Sequence, residues 1–365
     1  VAYDADTAVK DDIDALNQVI YEKKSPEINA LYEKGREWSL DHFELLYKIL
    51  NTKFDEYIFE SAMAPIGLEI VRAYFAKGVF EKSEGAVVFR GERYGLHTRV
   101  FINSHGLPTY EAKEIGLNTT KFKKYPDTTQ SIIITANEQN EYFKVLIKAL
   151  FLIDENIGNK TMHIGHGMLR LPTGKMSSRT GDIITAESLI DEISKMIGEK
   201  VKDRNYSEEE KKDIIERVAI GAIKYSILRQ AIGGNIIFDI NKSISFEGDS
   251  GPYLQYSYVR ARSIIEKAGS SKYEILNHNQ APSLIERLIW RFPDIVERAG
   301  KEYAPHCIVT YLTELAGAFN GWYAKEKIID EKDANSPYKI AVTKAFAITM
   351  KNGLNLLGIK APERM

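Results

Sequence analysis

SIIITANEQNEYFKVLIKALFLI, residues 131–153, decides the architecture. The β-branched run SIIIT reads as a strand, ANEQNE as a polar turn, and FKVLIKALFLI (143–153) as a helix whose apolar residues recur at helical spacing. Strand, turn and helix in that order make an α/β crossover, and ligand chemistry gathers at the carboxyl ends of such strands. Upstream, EGAVVF (84–89) and LHTRVFI (96–102) are further strands bounded by turn residues. The first forty-odd residues read as helical, with Leu31, Trp38, Leu40, Phe43, Leu45 and Leu46 expected to face inward.

Downstream, Thr185 is placed to cap the helix AESLIDEISKMIGEK, and Ser207 with Glu210 has the spacing of a capping box. The polar stretch between these helices puts a domain boundary near residue 200. From there the chain is mainly helical, with apolar periodicities near 213–233, 252–268, 283–299, 307–328 and 337–357. Only GGNIIFDINKSISFEGDSG (233–251) breaks the pattern, as an irregular or briefly extended piece. The expected organisation is an α/β domain over 1–200 followed by an all-α domain over 201–365.

The chain has 365 residues, long enough for two domains, with 44% apolar and 27% charged residues. A net charge of −2 excludes a uniformly basic coat but leaves room for a local nucleic-acid face. Cys307 is the only cysteine, which excludes an intrachain disulfide and fits a reducing cytoplasm. No apolar run has the length of a membrane span, and Asp4, Asp6 and Asp11 stand where a signal peptide would be basic. No zinc-ligand spacing occurs, so no metal site is expected.

MHIGHGMLRLPTGKMSSRTG (162–181) places two nucleotide-like fragments side by side: His163 to His166, and Lys175 to Arg179. A lysine beside serines in a Gly-flanked loop reads either as a solvated loop or as a device that closes over a triphosphate. In the second case Lys175 opposes charge on the departing pyrophosphate, Ser177 and Ser178 donate hydrogen bonds, and Arg179 adds a second cation.

KMSSR resembles the second signature of class I aminoacyl-tRNA synthetases, and its surroundings resemble arginyl-tRNA synthetases. The likeness runs in order through YKILNTKFDEYIFES (47–61), KGVFEKSEGAVVF (77–89), GLHTRVFINSHGLPTYEAKEIGL (95–117), NEQNEYF (137–143) and GMLRLPTGKMSSRTGDIITAESLIDE (167–192). It continues in GPYLQYSYVRARSI (251–264), AFNGWY (318–323) and LNLLGIKAPERM (354–365). The fold it implies is the second half of a Rossmann-like class I catalytic domain followed by an all-α anticodon-binding domain.

In this family the first signature, HIGH, lies far upstream of the lysine loop, at a strand-to-helix passage. Here eight residues separate His166 from Lys175, too few to supply both half-folds around one ATP. The four letters are therefore a coincidence of sequence, and His166 reads as a structural or surface histidine. The same position resembles a segment lining the adenine pocket, which assigns ATP contact to His163, Gly165, Gly167 and Met168, together with Lys175 and Arg179. With no other HIGH-like string, and Val1 rather than Met at the start, the chain reads as a C-terminal portion without the N-terminal domain and the HIGH-bearing half.

Tyr110 and Glu114, four residues apart, face the same way on a helix. By themselves they fit an exposed helix-stabilising pair; the resemblance makes them the pair that holds the arginine side chain, a carboxylate against a guanidinium. Gln139 matches a third contact. Glu114 departs from the family's usual aspartate, and the extra methylene shifts the carboxylate by roughly 1 Å. In the helical half, Arg260 and Arg262 suit RNA, while most of Tyr253 and Tyr256 is assigned to core. Phe319, Asn320, Trp322, Tyr323 and the terminal Met365 carry the resemblance to the anticodon-arm surface.

The resemblance implies an arginine–tRNA ligase using ATP with Mg2+ as counter-ion, acting on L-arginine and tRNA(Arg) in the cytoplasm, off the membrane and monomeric when its front portion is present. The competing class is a tRNA-binding module, free-standing or complementing another polypeptide, without aminoacylation. An ordinary nucleotide-binding metabolic enzyme accounts for the lysine loop but not for the tail.

Overall fold

A computed structural model describes residues 7–170, 172, 185–269 and 281–365. In chain order, helices α1 (Thr7–Glu22), α2 (Pro26–Ile49) and α3 (Glu60–Phe75) precede strands β1 (Glu81–Ser83), β2 (Ala86–Phe89) and β3 (Arg99–Ile102). Then come α4 (Tyr110–Lys124), β4 (Ser131–Ala136), α5 (Asn140–Ile153), α6 (Glu155–Lys160) and β5 (Thr161–His166). The later helices are α7 (Ala186–Val201), α8 (Glu208–Leu228), α9 (Gly251–Ala268), α10 (Leu284–Lys301), α11 (Pro305–Tyr323) and α12 (Ser336–Leu356). A mixed α/β region thus comes first and an all-α region follows. Among the described residues, no helix is long and apolar enough to cross a membrane.

The chain divides into two compact units, one comprising residues 54–169 with 231–236, the other 1–53, 170–230 and 237–365. In the α/β unit, β1, β2 and β3 form an antiparallel meander, with a register shift at Val87/Val88. Strands β4 and β5 pair in parallel, from Ser131 opposite Thr161 to Ala136 opposite His166, with α5 and α6 as the crossover. The expected strand–turn–helix is therefore present, its helix beginning at Asn140. Phe80, Phe89, Phe101, Ile115, Phe143 and Leu146 form its core, each less than 2% exposed. Helices α3 and α4 meet through glycines: a Cβ on Gly67 would lie 1.9 Å from Ala112 O, and one on Gly116 would lie 2.6 Å from Met63 O. That close approach fixes the seat of α4, which carries Tyr110 and Glu114.

The other unit is helical. Thr185 accepts from Ser188 N, as expected of a cap, and the Ser207–Glu210 capping box is formed. A second box, Ser283 with Glu286, opens α10. Leu254, Leu312, Leu315, Phe346, Met350 and Leu354, all fully buried, are the centre of its core. The broken stretch near 233–251 holds a two-residue strand, Ile236–Ile237, and one helical turn, Ile240–Ser243.

The expected inward face of the leading helices is corrected. No residue of α2 is buried; Leu31 is 70% and Trp38 62% exposed, Phe43 and Leu45 are also exposed, and Leu40 and Leu46 are half-buried. Helical spacing identifies an apolar face but not whether another element covers it.

Candidate functional site

Thr109 precedes α4, and its hydroxyl donates to the carbonyls of Val100 and Phe101 at 2.8 and 3.1 Å, tying the helix start to β3. Tyr110 and Glu114 then lie one turn apart and are hydrogen-bonded through their side chains. Glu114 is buried, with 7% exposure. Burial holds its carboxyl above the ordinary range, against the pull of the Lys121 charge and the hydrogen bonds from Tyr110 and Asn118. Burial first, and the Glu114 charge second, push the Tyr110 hydroxyl far up, so it stays a donor. The Tyr142 ring stands 5.1 Å from that of Tyr110, and its buried hydroxyl has no hydrogen-bond partner. Asn118, wholly buried, donates to Glu114 O at 2.9 Å and Oε2 at 3.4 Å, while its own Oδ1 has no partner. A buried carboxyl beside an exposed tyrosine, with unused polar atoms on Asn118 and Tyr142, is suited to a cationic ligand rich in N–H donors. Gln139 is exposed in the 3-10 turn that follows β4.

Midway along β5, His163 stacks on Phe143 with ring centroids 4.2 Å apart, and its Nε2 is 2.8 Å from Thr135 Oγ1. Burial lowers its pKa, favouring the neutral imidazole. Gly167 accepts no side chain, because a Cβ would fall 1.7 Å from Gly234 O. Around it, Met168 N donates to Asn235 Oδ1 at 3.2 Å, Ile236 N donates to Met168 O at 2.9 Å, and Asn137 Nδ2 donates to Gly233 O at 3.2 Å. The segment from Gly233 to Asn235 is thus fastened to the strand end. Sequence reading missed Asn137 and this segment, although Gly-Gly-Asn is a turn signal and Gly233 has φ of 86°. His166 is exposed, with Nδ1 3.0 Å from Gly167 O, in keeping with a surface histidine. Lys175, Ser177, Ser178 and Arg179 lie outside the described residues.

In the helical unit, a cavity of about 560 Å³ is lined by Lys200, Arg204, Phe246, Glu247, Tyr253, Tyr256, Arg260, Asn320 and Met365. The Arg260 guanidinium lies 4.6 Å from the Tyr256 ring centre and 5.2 Å from that of Tyr323, and its Nη1 donates to Asn320 Oδ1 at 2.6 Å. Cations, ring faces and an amide around one hollow can hold an unstacked base and its phosphate.

Two expectations are corrected here, for Tyr256 and Phe319. Tyr253 packs against the helical core as expected while also lining the hollow, whereas Tyr256 is half-buried and lines the hollow only. Phe319 is 0% exposed and stacks on Phe346 at 3.9 Å, so it supports the surface and cannot touch a base. Arg262 is paired with Glu266 at 2.9 Å and with Glu363 near the chain end. Trp322 is half-buried and Tyr323 exposed.

A parallel β–α–β unit, joined in one chain to a helical domain with an aromatic–cationic hollow, is consistent with a class I aminoacyl-tRNA synthetase. Residues 2–240 match the family tRNA synthetases class I (R), catalytic domain, and residues 254–365 match the DALR anticodon binding domain. The chain belongs to the arginyl-tRNA synthetase family. It is 31% identical over 354 residues to the arginine–tRNA ligase of Flavobacterium psychrophilum, with 94% of this chain and 59% of that one covered. To the arginine–tRNA ligase of Bacteroides thetaiotaomicron it is 32% identical over 362 residues, covering 95% and 60%. The fold matches that of Thermus thermophilus arginyl-tRNA synthetase with a TM-score of 0.77 at 23% identity, over 96% of this chain and 68% of that one. The chain spans about three fifths of the length of the curated relatives it matches.

Proposed function

We propose that this chain is part of an arginine–tRNA ligase. The α-carboxylate of L-arginine attacks the α-phosphorus of ATP and expels pyrophosphate; the terminal adenosine hydroxyl of tRNA(Arg) then attacks the adenylate carbonyl. Glu114 receives the guanidinium, with Tyr110 beside it and Gln139 as a third contact. The buried, hydrogen-bonded Glu114 carboxylate carries this reading, since a buried anion needs a cationic partner. His163, Gly165, Gly167 and Met168 form the adenine side, the neutral imidazole adding no charge. Lys175, Ser177, Ser178 and Arg179 face the phosphates, supplying position and field. Mg2+ enters with the nucleotide as its counter-ion.

The helical half takes the tRNA through Arg260, Asn320, Trp322, Tyr323 and Met365, with Phe319 beneath them and Arg262 anchoring the chain terminus through Glu363. The functional division falls near residue 200, between a partial catalytic domain and the anticodon-binding domain. The catalytic part is the second half of the Rossmann-like fold, and HIGH belongs to a segment preceding it. Residues 161–166 support this: they run as a strand that leads, at Leu169–Arg170, into a second short strand and not directly into a helix as a first signature does. That span favours a second reading for the isolated 365-residue chain, tRNA binding without aminoacylation. The setting is cytoplasmic, and the completed enzyme acts as a monomer.

Arginylation of total tRNA with labelled arginine and ATP, with tRNA binding followed on the same sample, tests both readings. Binding without charging is expected of this chain. Charging would overturn the missing half-fold, and absence of both would overturn the role of the helical domain.

A further inference from the structure

The ammonium of Lys121 stands out among the groups around the Glu114 carboxyl because the arginine-binding reading gives it no task. Lys121 lies seven residues beyond Glu114 on α4, two turns or about 10.5 Å along the axis, on the same face. Side chains on a helix lean toward its N-terminus, so Lys121 leans back toward the carboxylate. Its Nζ donates to Ser131 Oγ at 2.8 Å, at the buried start of β4. Wholly buried Asn118 sits between the two charged residues in sequence, hydrogen-bonded to Glu114. Lys121 and Glu114 form no ion pair.

A cation tethered by a hydroxyl, near a buried carboxylate but off its oxygens, is an uncommon placement. A direct ion pair would occupy the lone pairs that a guanidinium must use. Held back, the ammonium stabilises the anion through its field while leaving those lone pairs open. We infer that Lys121 is a positioning residue of the amino-acid pocket: tethered to Ser131, it keeps Glu114 ionised when the pocket is empty, ready for a cationic side chain. The inference rests on Glu114 being the guanidinium partner.

The electrostatics agree. Burial pushes the Glu114 carboxyl up, and the Lys121 charge is the largest influence pulling it back. Burial pushes the Lys121 ammonium down, and Glu114 opposes that shift. The other charged and titratable groups acting on Glu114 are Glu60 on α3 and Tyr110 on α4; Tyr142 on α5 feels Glu114 in turn, together with Glu111 on α4 and Arg99 at the start of β3, over its ring at 5.6 Å. Glu60 is itself paired with Lys113 at 3.1 Å. Arg99 remains when Lys121 is replaced, so any shift in that variant belongs to Lys121.

Without the ammonium, the Glu114 carboxyl is protonated at higher pH, so binding of a cation weakens sooner as pH falls. Once the pH is below the carboxyl's pKa, affinity drops about tenfold per unit.

The test is calorimetric titration of L-arginine into the 365-residue chain over about pH 6 to 9, with L-citrulline as the uncharged control, for wild type, Lys121→Met and Lys121→Arg. The expected result is a Lys121→Met profile displaced to higher pH and largely restored in Lys121→Arg. Coincident profiles overturn the inference. Should wild type bind arginine no better than citrulline, the guanidinium reading of the pocket fails for this chain. A 13C titration of the Glu114 carboxyl, assigned with Glu114→Gln, then decides the role of Lys121: a higher midpoint in Lys121→Met supports it, an unchanged one refutes it. If Lys121→Met does not fold, Ser131→Ala releases the tether, and a carboxyl midpoint equal to wild type refutes the inference.

Discussion

Arg260 is the side chain for which structural and RNA-binding roles separate most cleanly. Replacing it with methionine keeps the length and removes the guanidinium. The hydrogen bond to Asn320 Oδ1 at 2.6 Å is charge-assisted, and two ring faces lie within 4.6 and 5.2 Å. Hydrogen bonds to charged groups contribute about 1.5–3 kcal/mol and a cation–π contact about 0.5–1 kcal/mol. Arg260 is only half-buried, so solvent screening reduces both, and the methionine stem keeps part of the packing. Asn320 keeps its other hydrogen bond, Nδ2 to Ser257 Oγ at 2.8 Å, so the hollow should survive. The expected stability loss is about 1–3 kcal/mol. A guanidinium that also neutralises a phosphate has a second signature, which stability alone cannot mimic. The slope of log K against log salt for tRNA binding falls by about 1 in magnitude between about 50 and 200 mM salt. Fluorescence anisotropy with labelled tRNA reads that slope, and Arg260→Lys should keep it while losing ring contact. A methionine variant with reduced stability but an unchanged slope would refute the phosphate role and leave Arg260 as a purely structural residue.

Other expectations are equally direct. In Gly167→Ala the new Cβ meets the Gly234 carbonyl, so the Gly233–Asn235 segment must move; stability should fall by about 1–3 kcal/mol and ATP affinity by about tenfold, and unchanged nucleotide binding in a fluorescence titration would count against that segment's place in the adenine site. Phe319→Leu should cost about 1–2 kcal/mol in denaturant unfolding, by loosening the stack on Phe346, yet leave the salt slope of tRNA binding intact; a reduced slope would return Phe319 to the RNA surface. His163 has a lowered pKa in the fold, so the unfolded chain binds its proton more readily. Stability from this group is therefore present above the unfolded value of about 6.5 and lost as pH falls toward the folded pKa. His163→Phe should remove that loss, and unfolding curves for the two proteins that stay parallel below this pH would contradict it.

Features set within a few neighbouring residues were legible in the sequence. The strand–turn–helix at 131–153, the caps at Thr185 and Ser207, and the shared face of Tyr110 and Glu114 all follow from spacing. Backbone geometry and short side-chain reach determine such features whatever the rest of the chain does. The family was legible too, because its motifs recur in order. What surrounds each residue was not. Phe319 and Tyr323 lie four apart on α11, yet one is sealed against Phe346 and the other exposed, a distinction drawn by α12. Arg262 and Arg260 are two residues apart in one motif, but the returning chain terminus pairs only with the first, through Glu363. The apolar residues of α2 kept their helical spacing and gained no cover. Likewise Ser131, ten residues away across the turn after α4, holds the ammonium that stands near Glu114. Period and propensity act along the chain, whereas burial and the sign of the local field depend on which distant segments arrive, and only the tertiary structure decides that.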